Sequence, residues 1–241
     1  MLLKKITPSP IKKVYHWLRF YFEKAYFITF YNVKCFKKST NQGYYGQYGQ
    51  DYYLDKIIIP SLNSITGIIV EVGCNDPVYN NNTFFFQKKI KTISIDPLDY
   101  NEKYKIRKNT TFVNCAVSDR KGILKYYKVK TSEGWENQMS GFTKPEGHFE
   151  YDTIKVPSDT LNNILKDKDV RKISLLLLDV EGHEYNILSR FDFAKYKPDI
   201  VVVENKIFGK KVRKLLKTQG YQLKYRFWTA DDVFINQTLL H

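Results

Sequence analysis

Three carboxylates fall within six residues in Asp179-Val180-Glu181-Gly182-His183-Glu184, directly after the apolar run Ile173 to Leu178. Like charges this close are costly unless cations, protons or hydrogen bonds compensate them, and such crowding marks sites that move protons. A neutral hydroxyl is a poor nucleophile, so alkylating it requires a base set against it, and Asp179 or Glu181 can supply one. His183 has the ordinary pKa best suited to that task but stands where a helix would begin, which leaves both base and helix cap open. Glu204-Asn205 ends a second apolar run, Ile200 to Val203. With Asp179 it offers oxygen ligands for a magnesium- or calcium-like ion, or else builds a structural hydrogen-bond network.

A second group of residues suits a cofactor. The run Gly67 to Val72 leads into Glu71-Val72-Gly73-Cys74-Asn75, where Gly73 permits a tight turn and close approach of a ligand to the backbone. A dinucleotide site would want G-x-G-x-x-G under a pyrophosphate, and this loop has one glycine. Glu71 favours a cofactor carrying a positive α-amino group over one carrying phosphates. About twenty residues on, Thr92 to Ile95 ends in Asp96-Pro97, where a carboxylate accepts hydrogen bonds from ribose hydroxyls; the alternative is a turn before Pro97. Ser118-Asp119 follows a third run, Phe112 to Val117, and Asp119 either accepts an adenine amine or caps the turn at 119–122.

These residues need a frame that brings distant acids together. The apolar runs read as buried parallel strands, and 83–91, 158–168, 182–190 and 208–219 suit helices, with Gly220 at a helix stop. Strand–helix alternation predicts an α/β Rossmann-like fold, a mostly parallel doubly wound sheet with helices on both faces and a ligand crevice at the carboxyl ends of the strands. Residues 130–152, with Trp135, Met139, Phe142 and His148, are long for a connection and read as a lid or a disordered connector. The Gly-, Asn- and Gln-rich stretch 39–50 is the best boundary, dividing a basic, aromatic segment 1–43 from a globular domain 44–241.

Charge is uneven along the chain. Residues 1–40 hold nine Lys/Arg against Glu23, which is +8 of the formal +14. From Val14 to Ile28 the apolar residues recur at helical spacing, which predicts an amphipathic helix packed on the domain or lying on an anionic membrane surface. Cys35, Cys74 and Cys115 form no metal-type spacing with the four histidines and indicate a reducing, cytoplasmic setting, peripheral to the membrane where the helix attaches. No stretch reaches the roughly 18 apolar residues of a spanning helix.

Four passages together resemble the FkbM family of S-adenosylmethionine-dependent methyltransferases, over roughly residues 44–206. They are Tyr48-Gly49-Gln50-Asp51; Val70 to Pro77 followed by Asn82-Thr83; Ile95-Asp96-Pro97 with Asn114 to Asp119; and, most specific, Leu178-Asp179-Val180-Glu181-Gly182-His183-Glu184. The resemblance implies O-methylation of a sugar in a glycan, glycolipid or nucleotide-linked precursor. It implies that Glu71, Gly73, Asn75, Thr83, Asp96, Ser118, Asp119 and Asp179 surround S-adenosylmethionine, with Asp179, Glu181 and His183 at the reacting hydroxyl. One rival is a nucleic-acid methyltransferase, since Asn75-Asp76-Pro77-Val78-Tyr79 superficially resembles the N/D-P-P-Y motif of amino-methylating enzymes. That motif belongs after the strand corresponding to Ile173 to Leu178, where this chain has clustered carboxylates that repel a phosphate backbone. A second rival is a non-catalytic membrane-associated binding protein; the acids at Glu71, Asp96 and Asp179 count against it.

Overall fold

A computed structural model describes residues 43–62, 66–130, 139–145, 149–205, 209–227 and 231–240. The amphipathic helix expected over residues 14–28, and Trp135 and His148 of the expected lid, lie outside the described residues. No helix among the described residues is long and apolar enough to cross a membrane.

The main sheet has seven strands: β1 (Ile68–Val72), β2 (Thr92–Asp96), β3 (Thr110–Asn114), β7 (Ile173–Leu178), β8 (Ile200–Glu204), β9 (Tyr221–Phe227) and β10 (Asp231–Asn236). Their order is β3-β2-β1-β7-β8-β10-β9. The first five run parallel, while β10 is antiparallel to both β8 and β9. All six residues of β7 are buried, as a strand covered on both faces requires. One apolar cluster joins the sheet to the helices Leu161–Asp167, Glu184–Arg190 and Lys210–Thr218, and another packs Leu54, Ile58 and Phe86 on the opposite face. A smaller sheet of β4 (Ala116–Ser118), β6 (Tyr151–Thr160) and β5 (Gly122–Val129) stands beside it.

The α/β, mostly parallel, two-faced architecture is the one the alternation predicts, with three local differences. The expected strand Phe112 to Val117 is split: the Cys115 N–H turns to the Asp96 carbonyl, and β4 leaves to pair with β6. Ser158–Thr160 belong to β6 and not to a helix, because the Thr160 hydroxyl caps the helix from outside by accepting from the Asn163 N–H. The stretch after Thr83 forms only a 3₁₀ turn, Phe84–Lys88, where three consecutive phenylalanines pack on their neighbours instead of propagating an α-helix.

Candidate active site

The strand order reverses between β1 and β7, and open α/β sheets hold their ligands at the carboxyl ends of strands at such a point. Gly73 and Asp179 lie there, one residue past each strand. The Asp179 N–H donates to the Val72 carbonyl at 3.0 Å, and the Gly73 N–H donates to the Ile95 carbonyl at 2.9 Å. Gly73 has φ +79°, and a Cβ on it would collide with the Asp179 backbone carbonyl, so the two loops touch only because this residue is glycine.

Two cavities meet at this contact and share Gly73, Asp179 and Glu181 in their walls. The first is a narrow cleft with apolar walls from Ile95, Leu98, Val117 and Phe142, with Asp96 at its side. Asp96 is buried; its carboxylate accepts the Asn75 N–H on one oxygen and the Leu98 N–H on the other, each at 2.9 Å. Loss of water pushes its pKa up to about 6, against the pull of those two N–H groups, and the charge of Glu71 adds to the rise. The Tyr100 hydroxyl donates to Asn75 Oδ1 at 2.7 Å, fixing the loop in which Asn75 takes φ +46°.

The second cavity, of about 290 Å³, is polar. Asp179, Glu181, Glu204 and Asp231 line it, with the amides of Gln47, Gln50, Asn80 and Asn82, the ring of Tyr48 and Met139 at its edge. Chain direction explains the gathering: β8 ends at Glu204 while antiparallel β10 begins at Asp231, directly opposite in register. Asp179, Glu181 and Glu204 each present a carboxylate oxygen within 4.8 Å of the others. Crowding by protein atoms and the charges of Glu204, Glu181, Asp231 and Glu184 push the Asp179 carboxyl well above the usual carboxylate range. Its side chain still opens onto the crevice, so water there tempers the first cause and leaves the like charges as the firmer one. Burial raises Asp231 to about 6, against a hydrogen bond from Gln50 Nε2.

The model of the methyltransferase FkbM domain matches residues 71–223, more than half of the chain. The chain belongs to the FkbM methyltransferase family. Among solved structures, an FkbM methyltransferase from Methylobacillus flagellatus is similar at 13% identity and TM-score 0.42, over 70% of this chain and 43% of that one. A TehB-like SAM-dependent methyltransferase from Corynebacterium glutamicum is similar at 11% identity and TM-score 0.39, over 83% of this chain and 93% of its own. The match thus spans less than half the length of the Methylobacillus protein. No curated protein matches.

In this FkbM domain the residues of the cleft suit the family's methyl donor, S-adenosylmethionine: Gly73 leaves a cradle that a Cβ would fill, and Asp96 keeps a carboxylate beside apolar walls. Of the residues expected there, Gly73, Asn75, Asp96 and Asp179 are brought together. Glu71 and Thr83 serve the loop from below. Glu71 Oε2 accepts from Thr83 Oγ1 at 2.8 Å and lies 3.9 Å from Arg107 Nη1, whose side chain is fully buried. Burial pushes the Glu71 carboxyl up, with the Arg107 charge opposing. Ser118 and Asp119 do not line the cleft, because the chain turns away at β4: the Ser118 hydroxyl donates to the Arg120 carbonyl, and Asp119 is exposed.

Of the residues expected to offer metal ligands, Asp179 and Glu204 line the polar crevice and Asn205 turns away from it. Its Nδ2 donates to Asp232 Oδ2 at 2.6 Å within a network that includes Arg213 and Arg226, whereas Glu181 lines the crevice with Asp179 and Glu204. His183 precedes the helix Glu184–Arg190, accepts the Ile187 N–H on its carbonyl and rests its ring 4.7 Å from that of Phe142, outside the walls of both cavities. Glu184 clasps the loop instead: its Oε1 accepts the N–H groups of Val180 and Gly182 at 3.0 and 3.1 Å. That clasp accompanies a left-handed backbone at Glu181, φ +52°, an uncommon conformation that non-glycine residues adopt at a cost of about 1–3 kcal/mol. Asp231, Tyr100 and Arg107 are absent from the sequence reading. A doubled acid, Asp231-Asp232, before an apolar run was the available signal for the first.

Proposed function

We propose that the chain methylates a hydroxyl of a sugar, drawn from a glycan, glycolipid or nucleotide-linked precursor. The observation that carries this reading is the junction of an apolar cleft holding Asp96 with a polar crevice, sharing a wall at Gly73, Asp179 and Glu181. S-adenosylmethionine supplies an electrophilic methyl group when bound in the cleft. Asp96 would accept hydrogen bonds from its ribose, and Gly73 would admit it close to the backbone. The amides of Gln47, Asn80 and Asn82 and the ring of Tyr48 orient a sugar in the crevice. Asp179, on the shared wall, takes the proton from the acceptor hydroxyl; Glu181 orients the same hydroxyl. Asp179, Glu181 and Glu204 have the spacing and hard oxygen donors to hold a divalent cation, which would lower the pKa of a sugar diol. The carboxylate-lined crevice disfavours a polynucleotide acceptor.

The test is transfer of labelled methyl from S-adenosylmethionine to a panel of free glycans, glycolipids and nucleotide sugars, with RNA and DNA alongside and with chelator or added magnesium. Label appearing as a sugar methyl ether is the expected result. Label found only in nucleic acid, or cofactor binding with no transfer to any sugar class, would refute the reading.

A further inference from the structure

The amino-terminal edge of the main sheet, opposite the methyl-transfer site, carries a groove of about 640 Å³. Lys91, Lys108, Lys168, Arg171 and Lys172 line it against a single carboxylate, Asp169. Lys172 is neutralised by Asp199, and Arg171 lies 3.6 Å from Asp169, both exposed. Lys91, Lys108 and Lys168 have no carboxylate partner among the described residues. Three uncompensated ammonium groups around one concavity raise each other's energy and favour an anion between them.

A second observation is independent of the charge. Thr92 and Thr110 open β2 and β3, face each other in the parallel register and line the same groove. Both hydroxyls are buried without a hydrogen-bond partner among the described residues, and Thr92 as a whole is only 2% exposed. A buried hydroxyl left unsatisfied is unfavourable, and a ligand oxygen reaching it from the groove would recover part of that cost. Ile68, Ile93 and Val170 provide apolar wall between the polar groups. The lining has no aromatic ring on which nucleobases of a single strand would stack. Being concave, it offers no helix or ribbon for a duplex groove.

We propose that this groove is a binding site for the phosphate group of a small molecule, separate from the methyl-transfer site. Lys91, Lys108 and Lys168 supply charge, and the Thr92 and Thr110 hydroxyls supply hydrogen bonds. A free phosphorylated metabolite and a phosphorylated lipid headgroup share this chemistry.

The experiment is calorimetric titration of the full chain with inorganic pyrophosphate at low and near-physiological salt. Saturable binding that weakens with salt is expected, with at least about tenfold loss in the double variant Lys91→Glu/Lys108→Glu and a several-fold loss in Thr92→Val at a melting temperature no lower than that of the wild type. Affinity for S-adenosylhomocysteine should be unchanged in both variants. Pyrophosphate-competed sedimentation with vesicles containing phosphatidylinositol phosphate would assign the phosphate to a headgroup; soluble binding without sedimentation would assign it to a free metabolite. No saturable binding, binding that survives the charge reversal, or binding of a uridine oligonucleotide that pyrophosphate does not compete would overturn the proposal.

Discussion

Lowering the pH should weaken cofactor binding through one identifiable group. Asp96 is buried with a pKa pushed up to about 6, and in its ionised form both oxygens can accept from ribose hydroxyls while holding the N–H groups of Asn75 and Leu98. Hydrogen bonds donated to the carboxylate favour its charged form, so binding is strongest above the free-protein pKa and is lost as pH falls through it. The ionised fraction drops from nearly all at about pH 7.5 to about one in ten at about pH 5, which predicts roughly tenfold weaker binding. The assay is calorimetric titration of S-adenosylhomocysteine at both pH values, with circular dichroism to confirm that the protein stays folded. Asp96→Asn should bind about ten- to a hundredfold more weakly at neutral pH and lose the pH slope over the same range. Equal wild-type affinity at both pH values, or an Asp96→Asn protein that keeps the slope, would refute the assignment.

Other substitutions test the scaffold. Arg107→Met leaves Glu71 buried without its cation and should cost about 3–5 kcal/mol in urea denaturation; a loss below about 1 kcal/mol would show that the pair is not structural. Gly73→Ala places a Cβ against the Asp179 carbonyl at a left-handed backbone, and should abolish measurable S-adenosylhomocysteine binding while destabilising the fold by about 1–3 kcal/mol. Asp231 has a folded-state pKa of about 6 against the ordinary 3.8, so the folded chain holds a proton that the unfolded chain releases between those values, and stability falls as pH rises through that window. Asp231→Asn should therefore stabilise the protein at neutral pH by up to about 3 kcal/mol, less any weakening of the Gln50 bond, and give no gain near pH 4; an equal gain at both pH values would contradict this.

What could be read from the sequence follows from where chemistry sits on parallel strands. Gly73, Asp96 and Asp179 each end or follow an apolar run at the carboxyl edge of its strand, so burial and position were both written locally. Asp231 was hidden because it opens an antiparallel strand, and only the pairing of β10 with β8 carries it to Glu204. Tyr221, Leu223, Tyr225 and Phe227 alternate in the sequence of β9, the neighbouring strand, but a register shift against β10 sends Tyr221 and Phe227 into different apolar clusters. Arg107 pairs with Glu71 across 36 positions, a contact that no local pattern encodes. Asn205 stood beside a true crevice acid, but successive residues at a strand end point to opposite sides, and the arginines of the other side claim it through Asp232.

The proposed transfer of the acceptor proton to Asp179, where the two cavities meet, can be measured by single-turnover methyl transfer to the best sugar acceptor in wild type and Asp179→Asn, together with S-adenosylhomocysteine affinity. Nearly unchanged affinity and a rate lowered by about a hundredfold or more are expected. Transfer at the wild-type rate in the variant would refute the role of Asp179 as the base.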